Sequence, residues 1–210
     1  MPYTMDEQDT EYAYFSTDPS WSNHYLWPPL QKILSNLQLS DRRIFEVGCG
    51  SGATANMLAG CGFAVTAIDT SAQGVALARD AFPHVHFDER SAYHDLAAEY
   101  GTFPVVVSLE VVEHCFWPRK YAQTIHDLLQ PGGVAIISTP YHGYLKNLAL
   151  AVTNKLDDHF TALWDGGHIK FWSEKTLGIL LEEAGFREVG FVRAGRIAPL
   201  AKSMIAIAKK

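Results

Sequence analysis

Apolar residues recur along the chain in two rhythms, and each rhythm predicts its own kind of element. Spacing of three and four predicts helices over residues 25–39, 53–58, 72–82, 92–100, 121–129 and 173–184. Short β-rich runs predict strands over residues 44–47, 63–68, 85–87, 105–109, 134–138, 186–192 and 204–208. The order is one helix, five strand–helix pairs and two closing strands. Such alternation predicts an α/β fold in which helices cover both faces of a mostly parallel sheet.

The chain divides into an arm, a single domain and an insert. Residues 1–20 are polar and aromatic without periodicity, so we expect an N-terminal arm that folds over a ligand. No repeat or linker interrupts residues 21–210, which predicts one domain. Residues 141–172, between the fifth strand and the last helix, exceed an ordinary connection and predict a lid. Six aromatic residues in this insert favour a flat or apolar substrate: Tyr141, Tyr144, Phe160, Trp164, Phe171 and Trp172.

Composition and charge narrow the class of protein. Hydrophobic residues form 48% of the chain, which excludes a disordered protein, and no apolar run is long enough for a spanning helix. The acidic N-terminus does not have the pattern of a signal peptide, and three cysteines without a CxxC pair predict a reducing, cytoplasmic setting. The net charge of −6 argues against nucleic acid as a partner and allows at most weak peripheral membrane contact.

A glycine-rich turn follows the first predicted strand and opens a helix. It reads Glu46-Val47-Gly48-Cys49-Gly50-Ser51-Gly52, and such a turn lets a ligand approach the backbone at a helix N-terminus. Asp69 ends the next strand, 21 residues after Gly48, where a ribose-binding acid is expected. The spacing alone does not separate a nicotinamide enzyme from an S-adenosylmethionine enzyme, and a turn without a ligand is a third interpretation.

The motifs that accompany this turn resemble those of one family. They are FEVGCGSG, then Ala67-Ile68-Asp69-Thr70-Ser71, Ser108 to His114, Leu129-Gln130-Pro131-Gly132-Gly133, and Ser138-Thr139-Pro140. In this order they resemble class I S-adenosylmethionine-dependent methyltransferases, especially the ubiquinone-biosynthesis-type O-methyltransferases. The resemblance covers residues 25 to 210 and implies a Rossmann-like, seven-stranded sheet whose last strand is antiparallel.

The resemblance also implies where the cofactor, S-adenosylmethionine, is held. Glu46 and the three glycines, Gly48, Gly50 and Gly52, would pass close to its methionine and ribose portions, and Asp69 would accept the ribose hydroxyls. The remaining expected cofactor contacts are Thr70, Ser91, Ala92 and Leu109. The closest subfamily holds the cofactor carboxylate with an arginine in the first helix. Pro28 or its neighbour stands there in this chain, so the carboxylate-binding residues are left open.

An acid–acid–histidine cluster follows the fourth predicted strand. Glu110, Glu113 and His114 stand at positions i, i+3 and i+4, which share one face of a helical turn. Two carboxylates and an imidazole suit a divalent metal such as Mg²⁺, with His168 as a fourth ligand and His142 as the weaker candidate. A metal-free role, in which His114 and Glu113 are the catalytic residues, and a purely structural role are the alternatives.

Together these patterns predict O-methylation of a small aromatic or lipid-like hydroxyl by a monomer or homodimer. Three alternatives stay open at this point. One is a metal-dependent RNA 2′-O-methyltransferase, supported by the same cluster but opposed by the acidic charge. The others are an NAD-dependent oxidoreductase and a non-catalytic cofactor-binding scaffold.

Overall fold

The computed structural model describes residues 14–210, which form eight α-helices, a short 3₁₀ helix over Ala198–Leu200 and seven strands. The helices are α1 Asn23–Asn36, α2 Ala53–Gly60, α3 Ala72–Ala81, α4 Leu96–Tyr100, α5 Pro118–Leu128, α6 Tyr144–Val152, α7 Leu156–Phe160 and α8 Glu174–Glu183. The strands are β1 Arg43–Val47, β2 Ala64–Asp69, β3 His86–Glu89, β4 Phe103–Leu109, β5 Leu129–Pro140, β6 Arg187–Ala194 and β7 Ser203–Lys209. Of the expected arm, residues 1–13 lie outside the described residues, and residues 14–20 contain no helix or strand.

The seven strands form one sheet in the order β3-β2-β1-β4-β5-β7-β6. Strands β1 to β5 pair in parallel, and β7 lies antiparallel between β5 and β6. The expected α/β class, with seven strands and one antiparallel strand at the end, is confirmed. The strand order reverses between β1 and β4, and ligands of open α/β sheets bind beside such a reversal at the carboxyl ends of the strands.

Helices cover both faces of the sheet because its central strands are apolar on both sides. Along β4, Val105 and Val107 pack with α1, α2 and α3, whereas Val106 packs on the opposite face with α4, α5 and α8. Tyr121 of α5 and Leu30 of α1 are fully buried, one in each core. These two cores hold the carboxyl ends of β1, β2 and β4 in fixed positions.

Several elements differ from the expected ranges. Strand β5 begins at Leu129 rather than at residue 134, so Leu129, expected to end helix α5, and residues 130–133 belong to the strand. Two further differences have identifiable reasons. Helix α4 begins at Leu96 rather than at residue 92, because Asp95 caps it by accepting a hydrogen bond from the N–H of Ala98 at 3.2 Å. Strand β4 begins at Phe103 and so contains Pro104, which lies at a register irregularity against β5. A bulge accommodates a residue that has no N–H to donate to the ladder.

The insert over residues 141–172 contains α6, α7 and an irregular return. The return is attached to the sheet edge, since the N–H groups of Ile169 and Lys170 both donate to the Glu113 carbonyl, at 3.0 and 2.9 Å. The N–H of His142 donates to the Trp172 carbonyl at 2.9 Å, which closes the base of the insert. Its action as a lid stays a prediction. Between residues 14 and 210, no helix has the length and apolar character needed to cross a bilayer.

Candidate active site

A cavity of about 670 Å³ opens at the carboxyl edge of the sheet. It is bounded by the ends of β1, β2 and β4, by residues 14–23, and by Trp164, Gly166 and His168 of the insert. Residues 14–23 thus lie along the predicted ligand site, as an arm folded over a ligand would. The cavity is therefore continuous from the glycine turn to the acid–histidine cluster.

The glycine turn is shaped by close contacts that leave no room for side chains. Gly48 and Gly50 line the cavity with φ of 80° and 53°. A Cβ at Gly48 would overlap the Val111 side chain, and one at Gly50 would lie 2.7 Å from the Tyr14 ring. The third glycine of the turn, Gly52, was also expected to contact the cofactor, but it does not line the cavity. A Cβ there would lie 2.8 Å from Cβ of Ala78, so this glycine lets α2 pack closely against α3.

Asp69 ends β2 with its carboxylate fixed by two backbone groups. Oδ2 accepts from the N–H of Gly50 at 2.7 Å, and Oδ1 accepts from the N–H of Ser71 at 2.9 Å. Each oxygen can accept further hydrogen bonds, so the side chain suits a pair of neighbouring hydroxyls. Thr70, Ala92 and Leu109 line the same cavity, and their contact with a cofactor stays a prediction. Ser91 does not line it, and its side chain accepts from the N–H of Tyr93 at 3.2 Å.

Glu46 is a buried carboxyl at the floor of the cavity. Only 2% of the residue is exposed, and Oε2 has no hydrogen-bond partner within the described chain. Burial, reinforced by the nearby charge of Asp69, raises its pKa from 4.5 to about 8. A cationic ligand in the cavity would favour the ionised form of this carboxyl.

Glu110 follows β4 in a left-handed conformation, with φ of 56°. Its Oε1 accepts from the Ser138 hydroxyl at 2.7 Å and its Oε2 from the Ser203 hydroxyl at 3.2 Å. Burial raises its pKa to about 7, while the two serine hydroxyls favour the ionised form. The expected helical turn through residues 110–114 is a non-helical turn, so Glu110 points to β5 and β7 instead of joining its neighbours.

Glu113, His114 and His168 converge, and each offers a ligand atom within 4.8 Å of the others. The carboxylate of Glu113 is buried without a hydrogen-bond partner in residues 14–210, and His168 Nε2 lies 4.0 Å from its Oε1. Burial raises the pKa of Glu113 and lowers those of both histidines, that of His168 to about 4. Nδ1 of His114 donates to the Gly166 carbonyl at 3.0 Å, so its Nε2 is the nitrogen left for a ligand or proton.

Three of the four expected metal ligands therefore meet, and Glu110 lies outside the group. Of the two histidines considered as a fourth ligand, His168 is the one that joins them. His142 packs instead against the rings of Phe160 and Phe171, with centroids 5.9 and 5.1 Å away. The serines that hold Glu110 and the cavity-lining Asn23 and Thr54 were not anticipated, since they come from elements far apart in sequence.

The chain matches a family model described as "Methyltransferase domain" over residues 22–189. Among curated proteins it is similar to the ubiquinone biosynthesis O-methyltransferase of Caulobacter sp. (strain K31), at 34% identity over 58% of this chain and 48% of that protein. The protein of the same name from Ruegeria pomeroyi is 34% identical over 71% of this chain and 63% of its own length. This chain thus spans about half of the first of these relatives.

Solved structures share the fold at low sequence identity. An S-adenosylmethionine-dependent methyltransferase from Mesorhizobium loti superposes with a TM-score of 0.67 at 18% identity, covering 88% of this chain and 97% of that one. A methyltransferase of the same description from Methanosarcina mazei gives a TM-score of 0.64 at 22% identity, over 85% and 96% of the two chains. The overall architecture described above therefore recurs in these structures.

Proposed function

Because the chain belongs to the methyltransferase-domain family, we propose that it transfers the methyl group of S-adenosylmethionine to a hydroxyl of a small aromatic or lipid-like molecule. The observation that carries this proposal is the single cavity that joins Asp69 and the glycine turn to His114 and His168. Cofactor groups and acceptor groups then face one space, as a direct transfer requires.

The residues present fit this cofactor chemically. Its ribose offers two hydroxyls, which Asp69 would accept, and its cationic groups suit a cavity whose floor holds the buried carboxyl of Glu46. Bound there, it supplies an electrophilic methyl group on a positively charged sulfur. The protein's part is then to orient the acceptor oxygen, exclude water and remove the acceptor's proton.

His114 is placed to take that proton. Its Nδ1–H is committed to the Gly166 carbonyl, and burial lowers its pKa, so the ring is neutral with Nε2 free to accept at neutral pH. Trp164 lies beside it, with ring centroids 6.2 Å apart, and provides an apolar surface for a flat acceptor. The name of the curated relatives supports oxygen as the acceptor atom.

A divalent metal is the second part of this proposal. Glu113, His114 and His168 would hold it, because a buried carboxylate without a partner and two neutral imidazoles form a suitable donor set. When bound, such an ion would lower the pKa of an acceptor hydroxyl. In that form of the site, Nε2 of His114 serves as a ligand rather than as the base.

Calorimetry with S-adenosylhomocysteine tests the core of the proposal. We expect one site per chain and a loss of affinity of at least about tenfold in Asp69→Ala, since a hydrogen bond to a charged group contributes about 1.5–3 kcal/mol. Asp80→Ala, an exposed position on α3, is the matched control. No heat from the wild type, together with a shift in NADH fluorescence, would overturn the proposal in favour of an oxidoreductase.

The acceptor atom is tested separately by transfer of labelled methyl. A catechol, a phenol and a benzylamine of similar size are offered with S-[methyl-³H]adenosylmethionine, with a short RNA as a fourth substrate. Labelling of the catechol or phenol supports O-methylation, whereas labelling of only the amine or only the RNA would contradict the proposed acceptor class.

A further inference from the structure

One end of the cavity is lined by polar side chains whose donors are unused. Asn23 at the start of α1 and Ser51 and Thr54 around the start of α2 are only 8%, 7% and 6% exposed, and all three line the cavity. Each of them keeps at least one donor without a partner in residues 14–210. The donors of Asn23 and Ser51 are not among the fully buried polar atoms, so they are accessible from the cavity.

The hydrogen bonds identify those donors. Oδ1 of Asn23 accepts from the Ser20 hydroxyl at 3.0 Å, so its amide NH₂ group remains. Oγ1 of Thr54 accepts from Nε1 of Trp27 at 3.2 Å, and because an indole only donates, the hydroxyl proton of Thr54 remains. The Ser51 hydroxyl makes no hydrogen bond to any described residue. All three therefore offer hydrogens and call for an acceptor.

The N-terminus of α2 lies among these side chains and adds to the same preference. Its N-cap is Gly52, which provides no side-chain cap, and its first turn contains no acidic residue. The free N–H groups and the helix dipole at such an end favour an anion. Side chains and backbone thus agree that the group which binds here accepts hydrogen bonds and carries negative charge.

Within residues 14–210, no arginine or lysine that lines the cavity is available for that anion. Among the described cavity-lining residues, Arg90 is the only one of these two types, and it is bound to Glu99 at 2.7 Å. The other end of the cavity is occupied by Asp69, which would repel an anion. Glu46 on the floor suits a neighbouring ammonium group rather than a carboxylate.

We propose that Asn23, Ser51 and Thr54, with the N-terminus of α2, bind the carboxylate of the cofactor's amino-acid end through uncharged donors alone. This inference rests on the proposed function and specifies its cofactor site. In this arrangement, uncharged hydrogen-bond donors hold the carboxylate in place of a positively charged side chain. It also fixes the orientation of the cofactor, with the ribose at Asp69 and the amino-acid group between Glu46 and α2.

Calorimetry with a pair of ligands tests this assignment. S-adenosylhomocysteine and its decarboxylated analogue, adenosyl-thiopropylamine, differ only in the carboxylate. In Asn23→Asp the new acid meets the ligand's carboxylate, so we expect S-adenosylhomocysteine to bind at least about tenfold more weakly. The analogue should bind as well as before or better. Asn36→Asp, at the exposed end of the same helix, adds the same charge away from the cavity and is the control.

A second substitution, Thr54→Val, removes the hydroxyl donor with little change of shape. It also removes the acceptor for Nε1 of Trp27, an effect that both ligands share. Thr54→Val should therefore weaken S-adenosylhomocysteine more than the analogue, and Thr54→Ser should restore most of the difference. Thermal melting identifies a variant that fails to fold, and the affinities of the other variant then test the assignment. An unchanged ratio of the affinities for the two ligands would overturn the carboxylate assignment while leaving the proposed function intact. Absence of binding by the wild type would refute the proposed function itself.

Discussion

Nε2 of His168 lies 4.0 Å from Oε1 of Glu113, although the two residues belong to the insert and to the turn after β4. The connection between these segments explains the proximity, because the Glu113 carbonyl accepts from the N–H groups of Ile169 and Lys170. A buried carboxylate without a hydrogen-bond partner in the described chain is thereby placed beside an imidazole that is neutral at pH 7.

His168→Ala should weaken binding of a divalent metal by more than about tenfold. Loss of a metal-binding side chain should lower the affinity for the metal at least as much as loss of a residue that only orients such a side chain. Loss of an orienting residue typically lowers metal affinity about 10–100-fold. Titration calorimetry with Mn²⁺ measures the change. His159→Ala, in the same insert but outside the three-residue group, is the control and should bind as the wild type does. A wild-type protein that binds no Mn²⁺, Mg²⁺ or Zn²⁺ would contradict the metal site.

Gly48→Ala should destabilise the fold by about 1–3 kcal/mol, since a Cβ at φ of 80° is strained and would overlap Val111. Gly60→Ala is the contrasting substitution. It lies in α2 where a Cβ meets no atom within 4 Å, and alanine there should stabilise by about 0.4–1 kcal/mol. Urea unfolding measures both, and equal effects of the two substitutions would show that the glycine turn is not constrained as described.

Most of the fold could be predicted because each element carries its own local pattern. The run Val105-Val106-Val107 is apolar at every position, and the structure buries it from both faces. Boundaries were less predictable where a single hydrogen bond decides them, as with the Asp95 cap of α4. The antiparallel direction of β7 came from the family resemblance, whereas its place between β5 and β6 is given by the structure, since no residue pattern states which strands pair.

The site residues that are adjacent in sequence could be predicted, whereas those from elements far apart in sequence could be predicted less well. Glu113 and His114 were recognised together in one motif. Glu110 was expected beside them, but its φ of 56° directs it to Ser138 and Ser203. The spacing i, i+3, i+4 had predicted that Glu110, Glu113 and His114 share one face of a helical turn. The structure has a non-helical turn at these residues, so Glu110 does not lie on a common face with the other two.

Ser203→Ala should destabilise the fold by about 1–3 kcal/mol. The Ser203 hydroxyl donates to Oε2 of Glu110, and in the variant this buried carboxyl oxygen loses its partner. Urea unfolding measures the change in the free energy of unfolding. Ser35→Ala, an exposed serine of α1, is the control. A Ser203→Ala variant as stable as the wild type would show that this hydrogen bond does not hold Glu110 in place.

Glu46→Gln should change how stability depends on pH, because the pKa of Glu46 is raised from 4.5 to about 8 by burial and by the charge of Asp69. Between these values the folded protein keeps a proton that the unfolded chain has released. The stabilising contribution of the neutral carboxyl is therefore complete below pH 4.5 and is lost as the pH rises through about 8. Glutamine stays neutral, so the variant should lose less stability than the wild type over this window. Urea unfolding at pH 5.5, 7 and 8.5 measures the difference, and parallel pH profiles would contradict a protonated Glu46.

The same substitution, Glu46→Gln, should weaken the binding of S-adenosylhomocysteine, because the variant cannot offer a carboxylate to the ligand's ammonium group. A variant that is more stable at alkaline pH yet binds less tightly would show that the buried carboxyl serves the ligand at the expense of the fold.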